Sequence, residues 1–112
     1  MQTKALGAFG EQATAQFLKN KNYVILHANY KTPLGEIDLI AKQKNMLVFV
    51  EVKTRTSTDF GRASEAVNKH KQQKIKQVAL WYLKKHKQLD EQVRFDVVEV
   101  YENGFNHIEN AF

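Results

Sequence analysis

Apolar side chains recur with two different periods along this chain, and the periods predict where helices and strands lie. Residues 4–19 have apolar side chains at helical spacing, and these are Leu6, Phe9, Ala13 and Phe17. The spacing predicts an amphipathic first helix that ends near Asn20 and precedes a strand beginning at Tyr23. Residues 29–35, which include the only proline of the chain, predict a loop after that strand.

Two strongly apolar segments, residues 35–40 and 48–53, predict a hairpin in the centre of a sheet. A two-residue turn at residues 44–45 would create three facing pairs, namely Ile40 with Phe49, Asp38 with Glu51, and Glu36 with Lys53. These six side chains then share one face of the hairpin. The other face, which we expect to be the drier one, is lined by Ile37, Leu39, Val48, Val50 and Val52. A three-residue turn or a bulge would turn the acids of one strand away.

The second half of the chain predicts one more helix and one or two more strands. A second helix from about Ser64 to His86 would bury a stripe consisting of Val67, Ile75, Val78, Ala79, Tyr82 and Leu83. Residues 93–100 alternate as a strand, and residues 105–108 follow the turn-forming pair Asn103-Gly104 as a short edge strand. The order of helix, three strands, helix and strand indicates an α/β fold with a mixed sheet flanked by helices.

Composition and charge narrow the class of protein. At 112 residues the chain is long enough for one domain, which we place at residues 1–112. It has no cysteine, which excludes disulfides and thiolate metal sites and suits a cytoplasmic protein. No apolar stretch approaches the roughly 20 residues of a membrane span. The net charge of +5 favours a polyanionic partner such as nucleic acid.

The charged residues of the predicted hairpin indicate metal chemistry. Asp38 and Glu51 would repel each other across the strands, so a cation is expected between them. Magnesium binds one or two carboxylates together with water and phosphate oxygens, and Lys53 on the same face can orient the attacking water or neutralise charge on phosphorus. The four histidines lack ligand spacing, and we assign them no chemistry. The alternative interpretation is cross-strand ion pairing on a solvated face, among Glu36, Asp38, Glu51 and Lys53.

Two charged residues on the predicted helices lie close to apolar positions. Glu11 has small or apolar neighbours at helical spacing. Its carboxylate either approaches the sheet, as a third metal ligand or a water contact, or stays exposed beside the apolar stripe. Lys71 lies within the stripe of the second helix and either points into a cleft toward substrate phosphate or extends into solvent from a frayed first turn. The loop at residues 55–62 either contacts substrate or is a plain connector.

Several short motifs carry a family resemblance. They are Gly10-Glu11, Gly35-Glu36-Ile37-Asp38-Leu39-Ile40, Phe49-Val50-Glu51-Val52-Lys53-Thr54-Arg55, Gly61, Lys71 and Arg94-Phe95-Asp96-Val97-Val98. Nearly end to end, the chain resembles the YraN-like family of small bacterial proteins. That family is similar in fold to the Holliday-junction-resolvase branch of the PD-(D/E)XK nucleases, whose restriction-endonuclease-like core has the order αβββαβ.

The resemblance implies roles for individual residues. It makes Asp38 and Glu51 metal ligands and Lys53 the catalytic lysine, while Glu11 matches a first-helix acid that assists the metal or the water. Ile37 stands where the name of the nuclease superfamily has a proline, a position that often varies and carries no chemistry.

The resulting hypothesis is a DNA endonuclease that uses magnesium, or manganese in its place, with branched DNA implied as substrate by the resemblance alone. The residues expected to contact nucleic acid are Arg55, Arg62, Lys71 and Lys74. Symmetric cutting of two strands implies a homodimer, for which the edge at residues 101–108 is a candidate interface. Two alternatives stay open: a catalytically silent nucleic-acid-binding module acting with a partner, and a nuclease directed at RNA.

Overall fold

The computed structural model describes residues 3–55 and 67–112, with side chains from residue 8 onward. Its elements follow the predicted order and are α1 (Thr3–Asn20), β1 (Val24–Thr32), β2 (Gly35–Gln43), β3 (Met46–Thr54), α2 (Lys69–Lys85), β4 (Gln92–Tyr101) and β5 (Gly104–Ile108). The strands lie side by side in chain order, with β3 and β4 parallel and the other neighbours antiparallel. The predicted mixed sheet with flanking helices and a restriction-endonuclease-like αβββαβ order is confirmed. No helix in the described ranges is both long and apolar enough to cross a membrane.

The hairpin of β2 and β3 has the predicted register. Its turn lies at residues 44–45, where Lys44 has a left-handed backbone with a φ of 54°. Gln43 is paired with Met46, and the ladder continues through Ile40 and Phe49 to a last pair, Leu39 and Val50. The regular pairing therefore stops just before Asp38 and Glu51 are reached.

Each face of the hairpin is covered by one helix, so both faces are dry. The α1 side contains Leu18, Leu39, Ala41, Val48, Val50 and Val98. The α2 side contains Ile40, Phe49, Ile75, Val78 and Tyr82. The stripe predicted for the second helix, from Val67 to Leu83, is buried as expected.

One residue of the hairpin faces the side opposite to the predicted one. Ile37 is buried with Ile40 on the α2 side, although alternation from Leu39 predicts the α1 side. The β2–β3 ladder ends at Leu39, and the adjacent strand β1 has a left-handed residue, Asn29, with a φ of 53°. These irregularities on both sides of β2 break the alternation.

Two element boundaries differ from the prediction. β1 continues to Thr32, so the loop predicted at residues 29–35 is reduced to a turn of two residues. α2 begins at Lys69, later than predicted, because Asn68 caps it by accepting a hydrogen bond from the backbone N–H of Lys71 at 2.9 Å.

The face of α1 that meets the sheet is rotated relative to the predicted stripe. Phe9 is 58% exposed, whereas Gly10 and Leu18 are buried. Gly10 permits the close approach, since a β-carbon at this position would lie 2.6 Å from Thr54 Oγ1 at the end of β3. The contact places Glu11, the next residue, beside the end of the hairpin.

Candidate functional site

Two carboxylates lie together where the pairing of β2 and β3 stops. Asp38 Oδ2 accepts a hydrogen bond from the backbone N–H of Val52 at 2.8 Å, so this side chain is fixed against β3. Glu51 is buried, with 7% of its surface exposed, and it faces α2. An acid so deeply buried requires a partner. The interpretation of a solvated face therefore does not hold for Glu51.

The environment of Glu51 favours its protonated form. The pKa of Glu51 is raised from 4.5 to about 8. Burial is the largest cause, and Asp38 adds to it through a hydrogen bond and through charge repulsion. Lys71 and Lys53 lower the pKa, but they only partly offset these effects. Burial and the neighbouring Asp38 thus favour the protonated form of Glu51, and a cation bound beside it would displace that proton.

Two lysines lie on the same side of the sheet as Glu51. Lys71 Nζ is 3.5 Å from Glu51 Oε2, and the cap formed by Asn68 fixes the first turn of α2 from which Lys71 extends. Of the two alternatives for Lys71, the structure shows the one in which it points into the cleft. The pKa of Lys53 is lowered, first by burial and then by the positive charge of Lys71. A lysine that gives up its proton more easily is suited to exchange a proton with water.

Glu11 approaches the acid pair from the α1 side. Its pKa is raised from 4.5 to about 7, first by burial and then by the charge of Asp38 and a hydrogen bond to it, while Glu36 contributes further repulsion. With its amide nitrogen turned toward Glu11, Asn29 donates hydrogen bonds to both carboxylate oxygens, at 2.7 and 3.0 Å. The structure thus shows Glu11 at the sheet and not exposed beside the apolar stripe.

Sequence reasoning missed Asn29. The sequence predicts Asn29 at the start of the loop that contains the only proline of the chain, and gives it no function. In the structure Asn29 is part of β1. Its backbone is left-handed, with a φ of 53°, and its side chain contacts Glu11. An asparagine within an otherwise strand-like segment was the available signal.

Asp38 separates two clefts. A cavity of about 360 Å³ on the α2 side is lined by Asp38 and Glu51 together with His70, Lys71 and Lys74. A cavity of about 370 Å³ on the α1 side is lined by Asp38 together with Glu11, Asn29, Lys31 and Thr54. Glu36 lies between the two and contributes to both. Asp38 is therefore reachable from two sides, while Glu51 is reached from the α2 side and Glu11 from the α1 side.

The predicted nucleic-acid contacts differ in where they lie. Lys71 and Lys74 line the cleft on the α2 side. Arg55 follows β3, and its Nε donates to Glu99 Oε2 at 3.2 Å. Arg62 lies outside the described residues, as does Gly61. Glu99 was not predicted, although its place between apolar neighbours in a buried strand was a signal.

The donor atoms of this site suit a hard cation. Asp38, Glu51 and Glu11 supply only oxygen atoms, which magnesium and manganese prefer. Within residues 3–55 and 67–112, no group of three or more His, Cys, Asp or Glu side chains is placed to hold a metal ion by itself. Magnesium binds through one or two carboxylates and takes its other ligands from water and phosphate. The residues present therefore fit magnesium bound together with a substrate.

The element order and the sheet topology define the chain as a small α/β protein with a restriction-endonuclease-like core. Residues 10–100 match the sequence profile of the Uncharacterised protein family UPF0102, and the chain belongs to this family. UPF0102 is the YraN-like family that the sequence motifs indicated, so the predicted family membership is confirmed.

Curated relatives match over nearly their whole length. A UPF0102 protein of Caldanaerobacter subterraneus is 52% identical over 116 residues, which cover 97% of this chain and 95% of the relative. A UPF0102 protein of Caldicellulosiruptor saccharolyticus is 47% identical over 118 residues and covers 100% of both chains. A UPF0102 protein of Clostridium botulinum is 47% identical over 116 residues, which cover 97% of this chain and 94% of the relative. These names give the family and no activity.

Proposed function

We propose that this protein is a metal-dependent endonuclease that hydrolyses phosphodiester bonds of DNA. The observation that carries the proposal is the contact of Asp38 and Glu51 at the end of the β2–β3 ladder, with two lysines beside them. A carboxylate whose pKa is raised by burial and by a neighbouring acid, as that of Glu51 is by Asp38, is typical of functional sites, since such a pair destabilises a sheet and serves no purpose in packing.

Asp38 and Glu51 would hold magnesium, or manganese in its place, and Glu11, which lines the cleft on the α1 side, would contact a water bound to the ion. Bound there, the ion supplies a water of lowered pKa and stabilises negative charge on phosphate oxygens. The bond from Val52 N–H fixes the Asp38 carboxylate before any ligand arrives. Asn29 orients Glu11 in the same manner. The protein therefore prepares its oxygen donors in advance, which lowers the reorganisation needed in the reaction.

Lys53 and Lys71 have different roles in this proposal. Lys53 is partly buried with a lowered pKa, so its amine can take a proton from the attacking water or return it to the leaving oxygen. Lys71 is half exposed at the mouth of the cleft, and its ammonium group can bind a phosphate oxygen of the substrate. Lys74, which lines the same cleft, extends this positive surface.

DNA is proposed as the substrate because a net charge of +5 favours a polyanion and because the family resemblance is to DNA nucleases. Branched DNA, a homodimer built through the edge at residues 101–108, and preference for DNA over RNA remain predictions from that resemblance.

The proposal is tested by incubating the protein with labelled four-way junctions, flaps, linear duplex, single strands and RNA, each with magnesium, manganese or chelator. Lys53→Ala is compared with Lys44→Ala, which removes the same charge from the exposed hairpin turn. We expect cleavage by the wild type and by Lys44→Ala that chelator abolishes, and a loss of about 10²–10⁴-fold for Lys53→Ala. Cleavage by a folded Lys53→Ala variant at the wild-type rate would contradict the role of Lys53.

A second candidate function is a catalytically silent nucleic-acid-binding module that acts with a partner. It is favoured by the net charge of +5 and by the lysines of α2, which can bind phosphate without any catalysis. It predicts salt-sensitive binding and no cleavage of any substrate with any metal. The same experiment separates the two functions.

A further inference from the structure

Glu99 is a buried acid that the proposed chemistry does not use. It lies on β4 with 1% of its surface exposed, and each of its carboxylate oxygens has a partner. Arg55 Nε donates to Oε2 at 3.2 Å, and Asn106 Nδ2 donates to Oε1 at 2.9 Å. A buried carboxylate requires an opposite charge and hydrogen-bond donors, which Arg55 and Asn106 supply.

The sheet places Glu99 directly beside the proposed catalytic lysine. In the parallel pairing of β3 and β4, Lys53 is the partner of Glu99, and in the antiparallel pairing of β4 and β5, Glu99 is the partner of Asn106. The three residues form one row across three strands. Arg55, two residues after Lys53, is tied to the same end of the sheet because its backbone N–H donates to the Val100 carbonyl at 2.8 Å.

The third member of the row, Asn106, is itself held in place. Its neighbour His107 contacts the fully buried Asp96 on the opposite face of the sheet, with Nε2 at 2.7 Å from Asp96 Oδ2. Arg94 and the backbone N–H of Asn110 also donate to Asp96. β5 is therefore fastened to β4 next to Asn106, and the Asn106 amide reaches Glu99 from a fixed strand.

An acid beside a phosphate-binding site weakens binding unless it serves to hold a cation there. Arg55 keeps 23% of its side chain exposed while its Nε is bound to Glu99. A guanidinium group fixed through one N–H can still present others to a phosphate oxygen, and its planar fork loses little freedom when it does so. The geometry suits an arginine held ready for the backbone of a nucleic acid strand.

We propose that Glu99, the strand partner of Lys53, is a positioning residue that holds the Arg55 guanidinium against a phosphate of the nucleic acid. This inference rests on the proposed function, and it adds to that function a second phosphate contact and the residue that orients it. The inference also predicts the direction in which a substitution changes DNA affinity. Simple electrostatics predicts that removing an acid near a polyanion strengthens binding. Our inference predicts that removing Glu99 weakens binding, because Arg55 is then no longer held in place.

The test measures binding of a labelled DNA duplex in chelator at several salt concentrations, for the wild type, Glu99→Gln, Arg55→Ala and the double variant. Glutamine has the shape of glutamate but carries no charge and has only one acceptor oxygen, so Arg55 loses its ion-pair partner and the bonds from Arg55 and Asn106 cannot both persist. We expect Glu99→Gln and Arg55→Ala each to weaken binding and to reduce the slope of log K against log salt by about 1. The double variant is expected to lose no more than either single variant.

Glu102→Gln is the matched control, since Glu102 is an exposed acid in the turn between β4 and β5. We expect it to leave the slope unchanged and to bind equally well or more tightly. Asn106→Ala is a second variant, which removes a bond to Glu99 without changing any charge. It is expected to weaken binding in the same direction but by less. Thermal unfolding shows whether each variant is folded.

Folded Glu99→Gln or Asn106→Ala that binds as tightly as the wild type, with the wild-type salt slope, would overturn the inference and leave Glu99 as a structural ion-pair partner. The outcome is distinct from failure of the proposed function. Absence of cleavage by the wild type contradicts the nuclease, whereas the salt slopes in chelator measure the contact of Arg55 without any cleavage.

Discussion

The Asp38 carboxylate accepts a hydrogen bond from the backbone N–H of Val52 at 2.8 Å. A side-chain oxygen of β2, and not a backbone carbonyl, thus binds this N–H of β3. This bond lies directly after the last regular pair of the hairpin. It holds Asp38 next to Glu51, and it makes the site depend on the hairpin register.

The two functions of Asp38 can be separated by substitution. Asp38→Asn keeps an oxygen that accepts from Val52 N–H but removes the charge, so we expect wild-type folding and loss of metal-dependent cleavage. Asp38→Ala leaves the N–H without an acceptor and should reduce the free energy of unfolding by about 1–3 kcal/mol. Chemical denaturation measures the stability and a cleavage assay the activity. An active Asp38→Asn enzyme would show that this carboxylate binds no essential metal.

The acids predict how stability without metal depends on pH. The folded-state pKa values of about 8 for Glu51 and about 7 for Glu11 lie above the usual 4.5. The folded protein therefore binds more protons than the unfolded chain between pH 4.5 and 8, and stability falls as pH rises through this range. In the Glu51→Gln variant the free energy of unfolding, measured by chemical denaturation at several pH values, should depend less on pH. Glu102→Gln, at an exposed turn, should have the pH dependence of the wild type.

Magnesium should reverse this pH dependence. Metal binding requires deprotonated carboxylates, so it releases protons and becomes tighter as pH rises. We expect magnesium to stabilise the wild type more at pH 8 than at pH 6, as measured by thermal unfolding in chelator and in excess magnesium. An equal effect on Glu51→Gln would indicate that the ion binds elsewhere.

Lys71 should act mainly on substrate binding. Its ammonium group is 3.5 Å from Glu51 and half exposed, so Lys71→Gln is expected to raise KM and to reduce the salt slope of DNA binding by about 1. Lys85→Gln, a matched change in the exposed last turn of α2, should affect both less. A fall in kcat with unchanged KM would instead place Lys71 in the chemical step.

Gly10 provides a test of how α1 positions Glu11. Alanine within a helix is more stable than glycine by about 1 kcal/mol, but here its β-carbon would lie 2.6 Å from Thr54 Oγ1. We expect Gly10→Ala to destabilise the protein by about 1–3 kcal/mol. In a Thr54→Ala background the clash disappears, so the same change should be neutral or stabilising. Denaturation of the four proteins measures this, and an equal effect in both backgrounds would exclude the contact.

Sequence alone predicted the hairpin because its apolar runs and polar turn leave one register in which both strands bury their side chains. Counting outward from the turn in that register places the side chains of Asp38, Glu51 and Lys53 on one face, which made them candidate site residues. The element order followed from the periods of the apolar residues, and strand β4 and edge strand β5 were placed almost to the residue.

The errors arose where contacts between distant elements decide the outcome. Phe9 lies outside the core because Gly10, and no larger residue, meets Thr54. Ile37 changes sides because the ladder stops at Leu39. Arg55, the charged partner of Glu99, is 44 residues away in sequence, so no local pattern predicts this ion pair.

The most direct test of the metal-dependent nuclease is a single-turnover time course with a labelled four-way junction, comparing the wild type and Glu51→Gln in magnesium and in chelator. Glutamine is uncharged, like the protonated form of Glu51 that the folded protein favours, so the variant should fold about as stably as the wild type. We predict cleavage by the wild type in magnesium, none in chelator, and none by Glu51→Gln. Cleavage that persists in the folded variant, or that proceeds without metal, would contradict the account.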